Sequence, residues 1–122
     1  MSYEAYKVMH VLGVFLVLGG LTGYLGFYAN GGSTEQLKFR FQLSLTHGLG
    51  MLLSLVGGFG LLARLGMTGG LPTWAIAKLV IWLIFGALVV PAKRKPEMAK
   101  VLWYVLPLLA VMAAYLAVNK PF

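Results

Sequence analysis

Three ionisable side chains, His10, His47 and Lys78, sit inside otherwise apolar runs of the chain. A neutral imidazole can ligate a metal through either ring nitrogen or pass a proton near neutral pH. A lysine amine can hold an anion or, once deprotonated, ligate. Placed in hydrocarbon, such groups cost roughly 2.5–3.5 kcal/mol each, so they mark candidate functional positions. The chain has no cysteine, which excludes disulfides, thiolate zinc sites, iron–sulfur clusters and covalent c-type haem. Any metal or cofactor must be held by histidine, lysine, methionine, tyrosine or backbone.

Both histidines open the pattern His-x-Leu-Gly, and the likeness runs on. His10–Leu25 (HVLGVFLVLGGLTGYL) and His47–Leu62 (HGLGMLLSLVGGFGLL) share eight of sixteen positions. Glycine and leucine are abundant here and inflate the match. A glycine one turn from a ligand, Gly13 after His10 and Gly50 after His47, removes the side chain that would collide with a flat macrocycle. That is the steric requirement for slotting a porphyrin between helices. The same glycines have a plainer use, as small faces on which helices pack closely. The histidines likewise have two readings, cofactor ligation or hydrogen-bonded polar contact. Lys78 has a plainer one as well, an apolar stem that carries its ammonium out to the headgroups.

The elements that must position these residues are helices in a bilayer. The chain has 122 residues, is 60% hydrophobic and only 11% charged. A soluble domain of this size needs more polar surface than that. Four apolar runs, at about 6–29, 40–65, 72–91 and 98–118, are separated by Asn30–Gln36, Gly66–Pro72 and Pro91–Pro96. Each is close to the ~20 residues that cross hydrocarbon as a helix, the one local structure that satisfies its own backbone there. The first run is too long for a signal-peptide core and lacks a good small-x-small cleavage site, which predicts a retained span. Pro91 is expected to end the third helix and Pro107 to kink the fourth. The expected fold is all-α: one integral membrane four-helix bundle, antiparallel, up-down-up-down.

The net charge of +7 lies mostly in loops, and no basic face for nucleic acid can be drawn. Loops one and three carry Lys38, Arg40, Lys93, Arg94, Lys95 and Lys100, against Lys7, Arg64 and Lys120 on the other side. Six against three puts the first side in the cytoplasm and both termini outside. At ~1.5 Å per residue, His10 and Lys78 enter from the same side to a similar depth, ~9 Å for Lys78, with Tyr115 and Asn119 near that level. His47 enters from the other side, ~10–15 Å away along the normal. A single macrocycle bound by both histidines would be strained, so one on His10 with Lys78 beside it is easier. Tyr3, Tyr6, Trp74, Trp103 and Tyr104 read as an interfacial aromatic belt. Met51 is the methionine closest to a candidate ligand.

Three short motifs carry a family resemblance: Lys7-Val-Met-His10, Trp74-Ala-Ile-Ala-Lys78 and Asn119-Lys-Pro-Phe122. With them the chain resembles a superfamily of small haem-binding membrane proteins. Its members include HemJ-type protoporphyrinogen oxidases, the membrane part of copper-resistance D proteins and the SirB family. The resemblance covers nearly the whole chain. It implies a four-helix core, non-covalent haem b, and roles for His10 and Lys78. The chain departs from the oxidases in carrying His47, which looks more SirB-like, and in opening its fourth helix with Glu97-Met-Ala-Lys100.

Together these observations predict a haem b protein of the bacterial inner membrane with an electron-transfer or redox role. His10 and His47 are the candidate iron ligands, Gly13 and Gly50 give clearance for the cofactor, and Lys78 is a ligand, charge partner or catalytic group. The partners expected are membrane lipid, with a redox partner or a second copy of the chain, and no nucleic acid. A porphyrinogen oxidase and a cofactor-free accessory subunit are the alternatives. A proton-coupled transporter is disfavoured because no span carries a carboxylate.

Overall fold

The computed structural model describes residues 1–67 and 69–119, so Lys120, Pro121 and Phe122, the end of the third motif, lie outside the described residues. The chain is 85% helical, and no strand occurs among the described residues. Helix α1 spans Tyr3–Ala29, α2 Arg40–Arg64, α3 Thr73–Ala87, α4 Val89–Arg94 and α5 Ala99–Asn119. Four stretches, Tyr3–Ala29, Arg40–Arg64, Thr73–Arg94 and Pro96–Asn119, are long and apolar enough to cross a membrane.

Local chemistry sets most of the boundaries. Ser2 caps α1, its hydroxyl accepting from the Ala5 N–H at 3.1 Å, and Glu4 complements the positive end of the first turn. The helix stops at Asn30, whose backbone and side-chain amides both reach the Gly26 carbonyl. Gly31 follows at φ +85°, a conformation that favours glycine.

One boundary differs from those expected. Pro91 does not end the third run. Proline removes one backbone donor and crowds the carbonyl four residues back, at Ala87, so the helix breaks at Leu88 and resumes as α4 through Arg94. Helix α5 continues through Pro107.

Helix α1 is the centre of the molecule. Val17, Leu21, Tyr24, Leu25 and Tyr28 are its most buried residues, spaced so that they share one stripe. Leu37, Leu88, Ala92, Ala99 and Leu102 close over that stripe, so the dense core lies at the end where α1 leads into α2 and α4 leads into α5. The hydroxyl of Tyr24 bonds that of Ser44, the hydroxyl of Tyr28 bonds that of Thr34 at 2.9 Å, and Lys93 Nζ lies 5.4 Å from the centre of the Tyr24 ring. The opposite end, near residues 3–10 of α1, is more open.

Candidate functional site

The repeated segments pack on each other. A Cβ at Gly13 would lie 2.3 Å from the Ser54 nitrogen and 2.8 Å from the Gly50 oxygen, and one at Gly50 would lie 2.7 Å from the Gly13 oxygen. Gly57 is closed by the backbone of His10 and Gly20 by that of His47, each at under 3.2 Å from such a Cβ. Gly60 meets the ring of Tyr6, and Gly23 meets Leu43. The two sets are equivalent. Each histidine docks on the glycine ten positions into the other segment, and the residue four before each histidine meets the glycine thirteen positions in. The contact is thus pseudo-two-fold, with residue numbers rising along α1 as they fall along α2. The clearance expected at Gly13 and Gly50 for a macrocycle is therefore taken up by the facing helix, and their role here is close helix packing.

The two histidines then part company. His10 Nδ1 is 2.7 Å from the Ser54 carbonyl oxygen. A carbonyl only accepts, so Nδ1 carries the proton and Nε2 the lone pair. Nε2 has no hydrogen-bond partner among the described residues, and no buried side-chain nitrogen or oxygen among them lacks one. His10 itself borders open space. His47 instead donates Nε2–H across to the Phe85 carbonyl of α3 at 3.1 Å. Along α1, Gly20, which marks the level of His47, is about 15 Å from His10.

The space beside His10 is a cleft of about 460 Å³ among all four apolar helices. Tyr3, Lys7, His10 and Val11 line it from α1, and Ser54, Gly58 and Phe59 from α2. Trp74, Lys78 and Trp82 line it from α3, and Ala117 and Val118 from α5. His10 and Lys78 are thus brought together as expected, while His47 and both repeat-opening glycines lie outside the lining. Trp74, expected in an interfacial belt, is 9% exposed and faces inward, and Tyr3 also lines the cleft. Tyr104, by contrast, is 72% exposed, as a belt residue would be. Tyr115, expected near this level, is exposed, and its α5 neighbours Ala117 and Val118 form the wall instead.

Sequence reasoning missed Ser54 and Trp82 as site residues. Ser54 is 5% exposed and gives its hydroxyl to the Met51 carbonyl at 3.0 Å. Trp82 donates its indole N–H to the same carbonyl at 3.0 Å, bridging α3 to α2. Met51 itself presses its terminal methyl against Gly86. The available signal was polarity: a hydroxyl and an indole N–H deep in apolar runs each require an acceptor.

The donor set bears on which group the cleft fits. No cluster of three or more metal-binding side chains forms among the described residues, so a bare ion has no cage. Iron in a porphyrin needs only an axial ligand from the protein, because the macrocycle supplies four nitrogens. An imidazole fixed at Nδ1 by a carbonyl, with its lone pair on Nε2, meets that need. The walls are chiefly apolar, with the cations Lys7 and Lys78 and no carboxylate among them, which suits a flat apolar body bearing anionic groups. The residues present fit the group. No family model matches the chain, nor does any curated protein or solved structure.

Proposed function

We propose that the chain is a multi-pass protein of the bacterial inner membrane, its helices running up-down-up-down, that binds haem b non-covalently in the His10–Lys78 cleft and serves an electron-transfer or redox role. The observation that carries the reading is the bond from His10 Nδ1 to the Ser54 carbonyl in a cleft that Lys78 also lines, which leaves Nε2 as the ring nitrogen able to ligate. When bound, the haem supplies one-electron chemistry at iron. His10 would hold the iron, and Ser54, through its carbonyl, would orient that imidazole and raise its basicity. Lys78 is a second ligand or a charge partner, and Lys7 draws anionic substituents toward the cleft. The apolar walls limit water and so tune the potential. Six loop cations against three favour termini on the outer side.

An absorption spectrum of the detergent-solubilised protein, oxidised and reduced, tests the cofactor. Wild type should show haem bands, and His10→Ala should lose them while still inserting into the membrane. A wild type that stays colourless after incubation with haemin, or an unchanged His10→Ala spectrum, would sink the reading. Lys78→Arg keeps the charge but has no lone pair to give. It should therefore alter the spectrum if Lys78 ligates and leave it unchanged if Lys78 pairs with an anion, in which case Lys78→Met is the damaging change. Haem-dependent turnover of protoporphyrinogen would make the protein an oxidase. For orientation, a reporter active only in the cytoplasm and fused after Phe122 should be silent.

A further inference from the structure

The cleft does not stop at His10. Beyond His10, Ser54, Lys78 and Trp82, which it shares with the cleft, a recess of about 60 Å³ continues toward the middle of the bundle. Its walls are Val14 and Val17 of α1, Ile81 and Phe85 of α3, and Ala113 of α5.

Of the polar groups at the entrance to the recess, only His10 Nε2 lacks a partner among the described residues, fewer than a buried water needs. His10 Nδ1 is held by the Ser54 carbonyl, and the Ser54 hydroxyl and Trp82 indole both donate to the Met51 carbonyl. Lys78 is engaged as well. A buried water needs two to four polar partners, whereas voids with apolar walls stay dry and take apolar guests. Size narrows the guest further. Roughly 150 Å³ accommodates a benzene-sized ring, and a water occupies about 30 Å³ of liquid. The 60 Å³ recess therefore suits a diatomic molecule or a noble-gas atom.

We propose that this recess is a binding site for a small apolar gas of the dioxygen class, opening onto the inner end of the cleft beside His10. Apolar gases leave water for hydrocarbon, so surrounding lipid is the supply. The site does not depend on which larger molecule occupies the cleft.

Xenon is the probe. The full chain, as purified and reconstituted in lipid discs with labelled methyl groups, is titrated with xenon pressure and followed by NMR. Methyls of Val14, Val17, Ile81 and Ala113 should shift saturably. Those of Val101 and Val111, which face outward, should respond weakly and in proportion to pressure. Ala113→Leu fills the recess and should abolish the saturating response. Val14→Ile, a single added methylene, should reduce it severalfold if leucine disturbs the fold. Dissolved dioxygen should then broaden the same recess methyls severalfold more than Val101 and Val111. Two results would overturn the proposal: recess methyls that respond like Val101, or recess methyls that exchange magnetisation with bound water.

Discussion

The two ends of the α1–α2 pair begin from nearly the same sequence and finish with different surroundings. At one end His10 docks on Gly57, bonds within the pair to Ser54, and borders a cleft. At the other, His47 docks on Gly20 but bonds outward to α3, and it lines neither the cleft nor the recess. The difference comes from what packs against the pair. Tyr24, Tyr28 and Leu25 of α1 meet Leu88 and Ala92 in the dense core at one end, while the His10 end is walled by Lys78, Trp74 and the α5 residues Ala117 and Val118. A repeated motif sets the helix contact, and neighbouring helices decide which copy of its histidine borders a cleft.

The sharpest test of this comparison removes what the ends have in common. Gly57→Val and Gly20→Val each place atoms against a histidine backbone, where a Cβ alone would come within 2.6 and 3.1 Å. Each should destabilise by about 3 kcal/mol, the upper range for overpacking, read as a fall in the folded fraction during denaturation in mixed micelles. Tolerance at one end but not the other would show that the two contacts are not equivalent.

A smaller effect separates the ends. His47→Ala should cost about 1 kcal/mol, since hydrogen bonds between helices in lipid average ~0.6 and reach ~1.7 kcal/mol. It should leave haem content at the wild-type level, whereas His10→Ala removes it. Haem loss in both variants would bring His47 back into the site. Trp82→Phe keeps the ring packing and removes the bond to Met51, so ~0.6 kcal/mol is expected in the same denaturation assay. Smallest of all are Gly19→Ala and Gly48→Ala, where nothing lies within 4 Å of the added Cβ. Neither should lower stability, and helix propensity favours alanine by up to ~1 kcal/mol.

The helices were legible because their apolar runs match the length that hydrocarbon demands. The pairing of His10 with Lys78 was legible too, because counting residues from each loop fixes depth. Pro91 was misread because a proline signals a lost donor, not whether the chain bends or stops there, and only the packing of α4 on α1 decides that. The glycines carried two readings for a related reason. A missing side chain announces that something approaches closely, and the sequence alone does not say whether it is a cofactor or the facing helix. Trp74 was placed in a belt by residue type, yet its helix face turns it into the cleft.

The reciprocal docking of the two repeats also bears on how such a chain can change over time. Position 57 is shaped by the residue at position 10, and position 20 by the residue at 47. A bulkier residue at either glycine is tolerable only if its opposite shrinks or the helices move apart, and helix separation would disturb both ends together. In a collection of related sequences, positions 10 and 57 should therefore vary as one pair and 47 and 20 as another.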